Sequence, residues 1–235
     1  MKNYLLGILV LRKNFPKEEN ELIKKAYDFA KEKHLGQKFD GSKYSYFVHP
    51  AFAGYLLAKW GRNYEEICAG ILHDVVEDCE VSLETIRKMF GKRTAFLVDG
   101  MSWERKWNEK DKKYLKDRPG FYRKIMGYSL QDIGIVIVHA SDELSKLSDI
   151  FHRKFKKKDE DREKTAKRLL WAAKIMIPFY KEIGLKKLSD KVWEKLKDYI
   201  GEKPKSDLDN YISKEGLKKI RDKLKRIKGI DELKW

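Results

Sequence analysis

The run Ile71-Leu72-His73-Asp74-Val75-Val76-Glu77-Asp78 sets one imidazole and three carboxyl groups among apolar residues. On a helix a step of four residues returns to nearly the same face, so Glu77 lies over His73 and Asp78 over Asp74. Burying these groups is costly unless a cation or hydrogen bonds compensate them. A metal ion would do so, and metals also perform hydrolytic chemistry. A solvated acidic helix end reads the same way, so the run needs partners elsewhere before it means a metal site.

Two partners stand out. His49 precedes Pro50, whose ring suits the first turn of a helix over Ala51 to Trp60, stopped by Gly61. That places His49 just outside the helix, extended, where it either reaches a neighbouring helix or merely caps its own. Asp142 ends the apolar run from Ile133, in which β-branched residues fill nearly every position. Periodicity does not separate buried strand from buried helix there. A lone acid closing such a stretch is either paired inside the protein or a carboxylate on the helix surface.

The order His49, His73-Asp74, Asp142, with Glu77-Asp78 one turn beyond the central pair, resembles the HD superfamily of metal-dependent phosphohydrolases. More narrowly the chain resembles the hydrolase domain of the RelA/SpoT group, which removes the 3′-pyrophosphate of guanosine 3′,5′-bis(diphosphate). The likeness runs in unbroken order from about Asn20 to Tyr199. It is carried by His34-Leu35-Gly36-Gln37-Lys38, Tyr46 to Pro50, Ala69 to Asp78, Leu97 to Ser102, Tyr122 to Met126, Asp132 to Asp142, and Pro178-Phe179-Tyr180 with Ile183-Gly184-Leu185. The resemblance implies a compact all-α multi-helix bundle with His49, His73, Asp74 and Asp142 as metal ligands. It implies manganese as the usual ion; two nitrogens and two oxygens leave Zn²⁺, Fe²⁺ and Mg²⁺ open as well. Glu77 and Asp78 then occupy the family's catalytic pair, orienting and deprotonating the attacking water.

The departures bear on the substrate. Where the family shows Arg-Leu-His-Asn after the last ligand, this chain has Glu143-Leu144-Ser145-Lys146. The family's arginine after Gly-Gln is absent, and Lys38 or Lys43 is left to supply a cation as a point charge rather than a fork. Lys38, Lys43 and Lys146 are accordingly the expected substrate contacts, in a pocket that differs from the family's.

A chain of 235 residues suits one enzyme-sized domain. The expected division is an N-terminal segment 1–16 packed on the core, a hydrolase domain 17–200 and a basic helical extension 201–235. No run reaches the roughly 18 apolar residues of a membrane span. The apolar stretch Tyr4 to Leu11 is about half that length and is followed by Arg12-Lys13 with no cleavage site. It is expected as a short helix or strand packed on the domain, or as a dimer contact. The cytoplasm is the expected location. Cys68 and Cys79, roughly 16 Å apart along one helix, are too far apart to bridge.

The net charge of +16 suits an anionic substrate, and the signs are interspersed, as on a solvated surface. With 38% charged residues and only two glutamines, Gln37 and Gln131, the composition points to a heat-adapted source rather than to nucleic-acid binding. Helical signals dominate along the chain. Helices are expected after Pro16 to near Gly36, over Glu65 to Asp78, between Ser82 and Gly91, from Asp161 through Tyr180, over Leu188 to Ile200 and over Ser213 to Ile227. Arg105 to Pro119 reads as a loop, either a mobile cover for the site or an ordinary exposed connection. His34 and His139 are expected to satisfy local hydrogen bonds, and His152 to sit at a helix end.

The leading expectation is a metal-dependent phosphohydrolase acting on a phosphorylated purine nucleotide, guanosine 3′,5′-bis(diphosphate) and its pentaphosphate relative first. Another nucleotide or phosphorylated cofactor, a non-catalytic metal- and nucleotide-binding module, and a basic nucleic-acid binder are the alternatives. A homo-oligomer is left open.

Overall fold

The computed structural model describes residues 4–38, 45–103, 105–108, 113–146, 148, 169–200 and 202–226. It is all-α, with one short hairpin. Helix α1 (Tyr4–Leu11) packs on α3 (Val48–Lys59) through buried Tyr4 and Ile8, while Leu6 and Val10 face outward. Arg12 is buried behind it, donating from Nη1 to the Arg62 carbonyl and from Nε to Asn20 Oδ1. Helix α2 (Lys17–Lys33) buries Ile23, Ala26 and Ala30 and carries acids in its first turn and lysines in its last, matching the helix dipole. Gly36, at φ +81°, turns the chain after it.

Helix α3 begins at Val48, so His49 lies inside the first turn rather than extended outside it. Pro50 is tolerated there because first-turn N–H groups need no intrahelical acceptor. Helix α4 (Tyr64–Leu72), capped by Asn63 accepting from Glu66 N–H at 3.0 Å, lies close against α3. Two glycines allow this approach: a Cβ on Gly54 would strike Ile71, and one on Gly70 would strike Leu57. Gly70→Ala is expected to destabilise the protein by about 1–3 kcal/mol through overpacking, read as a shifted urea midpoint at unchanged slope.

The expected continuous helix over Glu65 to Asp78 is broken at His73-Asp74, and α5 (Val75–Asp78) resumes beyond. The Gly70 carbonyl, which a continuing helix would offer to Asp74 N–H, lies 2.8 Å from His73 Nδ1. Asp78 N–H still donates to the Asp74 carbonyl at 2.9 Å, so Asp78 stays one turn beyond Asp74.

Helix α6 (Leu83–Phe90) has the expected Ser82 cap, whose Oγ accepts from Thr85 N–H, and ends at Gly91 with φ +92°. Helix α7 (Lys92–Met101) follows. The expected loop over Arg105 to Pro119 is instead an antiparallel hairpin, β1 (Arg105–Asn108) and β2 (Lys113–Lys116), with Arg105 opposite Lys116. Pro119 then falls in the first turn of α8 (Arg118–Ser129), capped by Asp117.

The ambiguous apolar run is helix α9 (Gly134–Lys146), buried on every side from Gly134 to Asp142. It contacts α3, α4, α7 and α8, which is why it shows no polar face. Arg93 on α7 fixes its start: Nε meets Asp132 Oδ2 at 2.7 Å and Nη2 meets buried Glu66 at 2.9 Å.

Residues 149–168, with His152 and the first part of the helix expected from Asp161, lie outside the described residues. A π-helical turn, Ala172–Met176, leads into α10 (Ile177–Glu182). Pro178 has no N–H for the Lys174 carbonyl, and Asp207 N–H bonds that carbonyl at 3.0 Å, fastening the later segment to this turn. Helix α11 (Lys186–Ile200), a single 3₁₀ turn (Leu208–Asn210) and α12 (Lys214–Leu224) complete the order. Helix α12 buries Leu217, Ile220 and Leu224 and packs on α10. No helix among the described residues is long and apolar enough to cross a membrane.

Candidate metal centre

Three separated stretches meet at one point. The first turn of α3 brings His49, the break after α4 brings His73 and Asp74, and the last turns of α9 bring Asp142. His49 Nε2 lies 3.2 Å from His73 Nε2 and 2.9 Å from Asp142 Oδ1. His73 Nε2 lies 3.1 Å from both Asp142 Oδ1 and Asp74 Oδ2, and the latter is 3.6 Å from His49 Nε2. Both imidazoles and Asp142 are 1–2% exposed.

Hydrogen bonds fix which nitrogen of each ring faces this point. Ser145 donates its hydroxyl hydrogen to the His49 carbonyl at 2.9 Å, so its oxygen accepts from His49 Nδ1–H at 2.8 Å. His73 Nδ1–H donates to the Gly70 carbonyl. In the neutral rings both Nε2 atoms therefore present lone pairs to each other and to two carboxylates. Asp142 Oδ1 is buried and has no hydrogen-bond donor, although two ring nitrogens lie beside it. Four acceptors without a proton between them call for a cation. With bonds of about 2.1 Å, neighbouring ligands of one divalent ion sit about 3.0–3.4 Å apart; three of the separations here fall in that range and the other two, 2.9 and 3.6 Å, lie just outside it. The residues fit a divalent metal.

Charge balance points the same way. Burial opposes ionisation of Asp142, but the Lys146 ammonium and His73 overcome it and hold its pKa well below the usual carboxylate range. Asp74 is likewise held low against burial by His73 and His49. Burial keeps His49 below the ordinary imidazole value, whereas Asp74 and Asp142 raise His73 well above it against its burial. The two carboxylates thus draw positive charge to the point where the Nε2 atoms meet, a proton on His73 where no metal ion supplies it.

The remaining expected residues are placed as follows. Glu77 is half-buried, and its Oε1 accepts from Trp103 N–H; Asp78 is exposed, and its carbonyl accepts from Gln37 Nε2 at 2.9 Å. Lys146 reaches Asp142 Oδ2 at 2.5 Å. Lys38 is exposed and pairs its backbone with Ser45, and Lys43 lies outside the described residues. His34 is buried against Gln37 Oε1 at 2.7 Å, and His139 against the Tyr180 hydroxyl at 2.7 Å, where burial lowers its pKa to about 3. His34 satisfies a local hydrogen bond as expected, whereas His139 bonds across the fold and its Nε2 is buried without a hydrogen-bond partner among the described residues.

Two supporting residues escape the sequence reading. Tyr46 donates its hydroxyl to Asp74 Oδ2 at 2.8 Å, and burial followed by the Asp74 charge keeps that phenol protonated. Ser145 orients His49. Tyr46 sits inside a quoted motif, three residues before a ligand, and Ser145 in the departing segment, three after one, but nothing in their residue types marks a role.

The chain is similar to proteins of established name. It is 30% identical over 238 residues to the guanosine-3′,5′-bis(diphosphate) 3′-pyrophosphohydrolase of Aquifex aeolicus (strain VF5), covering 96% of this chain and 32% of that protein. The enzyme of the same name from Spiroplasma citri is 33% identical over 150 residues, 63% of this chain and 20% of that one. The bifunctional (p)ppGpp synthase/hydrolase SpoT of Escherichia coli (strain K12) is 31% identical over 127 residues, 54% of this chain and 18% of that one. The chain thus spans a third or less of the length of these curated relatives. A solved structure described as a metazoan ortholog of SpoT that hydrolyzes ppGpp shares the fold at a TM-score of 0.51 and 18% identity. That match covers 89% of this chain and 97% of the other. The family model described as HD domain matches residues 26–172, a span that runs from α2 through α9 and holds every residue of the cage, so the chain belongs to the HD domain family.

Proposed function

We propose that this chain is a divalent-metal-dependent phosphohydrolase that removes the 3′-pyrophosphate of guanosine 3′,5′-bis(diphosphate) or its pentaphosphate relative. The observation that carries the reading is the pair of buried Nε2 atoms 3.2 Å apart beside a carboxylate oxygen without a donor. The names of the relatives supply the substrate. His49, His73, Asp74 and Asp142 would hold the ion, manganese in our reading. When bound, it supplies Lewis-acid polarisation of the phosphorus centre and makes water acidic enough to attack at neutral pH.

The chain's own groups do the rest. Glu77 accepts the proton of the attacking water, and Asp78 passes a proton on toward the leaving 3′ oxygen. Trp103 N–H anchors the Glu77 carboxylate, Tyr46 holds Asp74, and Ser145 holds His49. Lys38, Lys43 and Lys146 are proposed to meet substrate phosphates. The engagement of Lys146 with Asp142 favours a second reading, in which another phosphorylated nucleotide or cofactor is the substrate of the same centre. We assign the protein to the cytoplasm of a heat-adapted source and divide it at residues 16 and 200, on the composition and the resemblance.

Pyrophosphate release from guanosine 3′,5′-bis(diphosphate) in the presence of Mn²⁺ tests the proposal. Excess EDTA should stop release and added Mn²⁺ restore it; turnover indifferent to EDTA would overturn the reading. Ser145→Ala removes both bonds that aim His49 and should weaken Mn²⁺ affinity about 10–100-fold, measured by calorimetric titration. An unchanged affinity would show that the hydroxyl does not position the ring.

A further inference from the structure

A cavity of about 640 Å³ lies between α10, the segment 203–209 and α12, and none of its lining residues belongs to the metal centre. Its size is that of a small-molecule site, typically 300–1,000 Å³. The apolar lining comes from Pro178, Pro204, Leu208 and Leu217. Around it stand Lys181, Lys203, Lys214 and Lys218, with Arg221 and two acids, Glu182 and Asp209.

The charges here are not balanced as they are nearby. Glu182 is engaged with Arg221, which donates from Nε to its carbonyl at 2.7 Å and lies 3.5 Å from its carboxylate. Asp209 is then the one acid left in the lining to face four lysines. Among the described residues no carboxylate lies within ion-pair distance of Lys181, Lys203, Lys214 or Lys218. Elsewhere on and beside α12 the lysines are engaged: Lys219 with Glu215 at 2.8 Å, Lys225 with Asp222 at 3.8 Å, and Lys223 with the carbonyls of Leu130 and Gln131. Lys214 and Lys218, four residues apart, share the helix face that carries Leu217 and turns toward the cavity.

We propose that this groove is a binding site for a phosphorylated, ring-bearing metabolite the size of a nucleotide. The phosphates lie among Lys181, Lys203, Lys214 and Lys218, whose mutual repulsion a polyanion offsets. The ring lies on the prolines and leucines. A bare inorganic anion leaves that surface unused, and an uncharged nucleoside leaves the lysines without an anion, Lys203 alone having an aromatic face, that of Trp193, 5.5 Å from its ammonium. The site is separate from the catalytic one and needs no metal.

Calorimetric titration of the full chain in EDTA, which silences the metal centre, tests this with ATP and GTP as probes. Wild type should bind one of them at one per chain, more tightly than adenosine or inorganic triphosphate. Lys214→Glu with Lys218→Glu, both at exposed positions, should weaken binding at least about tenfold. Lys219→Glu, on the outer face of the same helix, should leave it unchanged. No binding in wild type, or equal losses from the groove and outer-face variants, would overturn the site. Tighter binding of a single-stranded RNA oligomer than of either nucleotide, lost with the same groove pair, would make the surface a nucleic-acid contact and overturn the small-molecule assignment. Because hydrolysis is absent in EDTA, neither result depends on the proposed reaction.

Discussion

Asp142→Ala should lower pyrophosphate release by about 10³-fold or more, several kcal/mol of lost transition-state stabilisation, and abolish stoichiometric Mn²⁺ binding. Asp142 supplies an oxygen that lies within 3.1 Å of both imidazole nitrogens, and that oxygen lacks a hydrogen-bond donor. Without it the cage keeps two neutral nitrogens and one anion, a weaker site for a hard divalent ion. Lys146 loses its bond to Asp142, but its side chain is 29% exposed, so the fold should survive. Circular dichroism and Mn²⁺ titration on the same preparation separate the two effects. A folded variant that retains both metal and turnover would remove Asp142 from the site.

Glu77→Gln should reduce turnover about 10²–10⁴-fold while leaving metal affinity within a few-fold of wild type. The amide oxygen still accepts from Trp103 N–H, so the local structure persists and only the proton-accepting charge is lost. Measuring kcat and Mn²⁺ affinity together gives the diagnosis. Loss of both would mean that Glu77 holds the ion, and loss of neither would mean that another group takes the proton.

How much of this was legible in the sequence differs from residue to residue. The His73-Asp74 pair and the carboxylates one turn beyond are local, so spacing alone places them together. His49 and Asp142 lie 24 residues before and 69 after His73, and only the resemblance joined them. The helix break at His73 was hidden because it depends on a side chain reaching the Gly70 carbonyl, which periodicity does not register. At the break, His73 and Asp74 both come to the point where His49 and Asp142 meet. The run 133–142 was undecidable because a helix buried on all sides and a buried strand have the same apolar pattern. The backbone is helical from Gly134 to Lys146, and α9 is the helix buried on every side. The hairpin at 105–116 was missed because its polar strands show no period-two alternation. Tyr46 and Ser145 were missed because a tyrosine and a serine become positioning groups only through contacts made across the fold.

The central claim is that four side chains from three stretches close around one ion. Anomalous diffraction at the manganese edge, on crystals of the wild-type chain soaked with Mn²⁺, addresses it directly. One peak is predicted within about 2.3 Å of His49 Nε2, His73 Nε2 and a carboxylate oxygen each of Asp74 and Asp142. A peak at any other place, or none in crystals whose ligand side chains are well ordered, would contradict it.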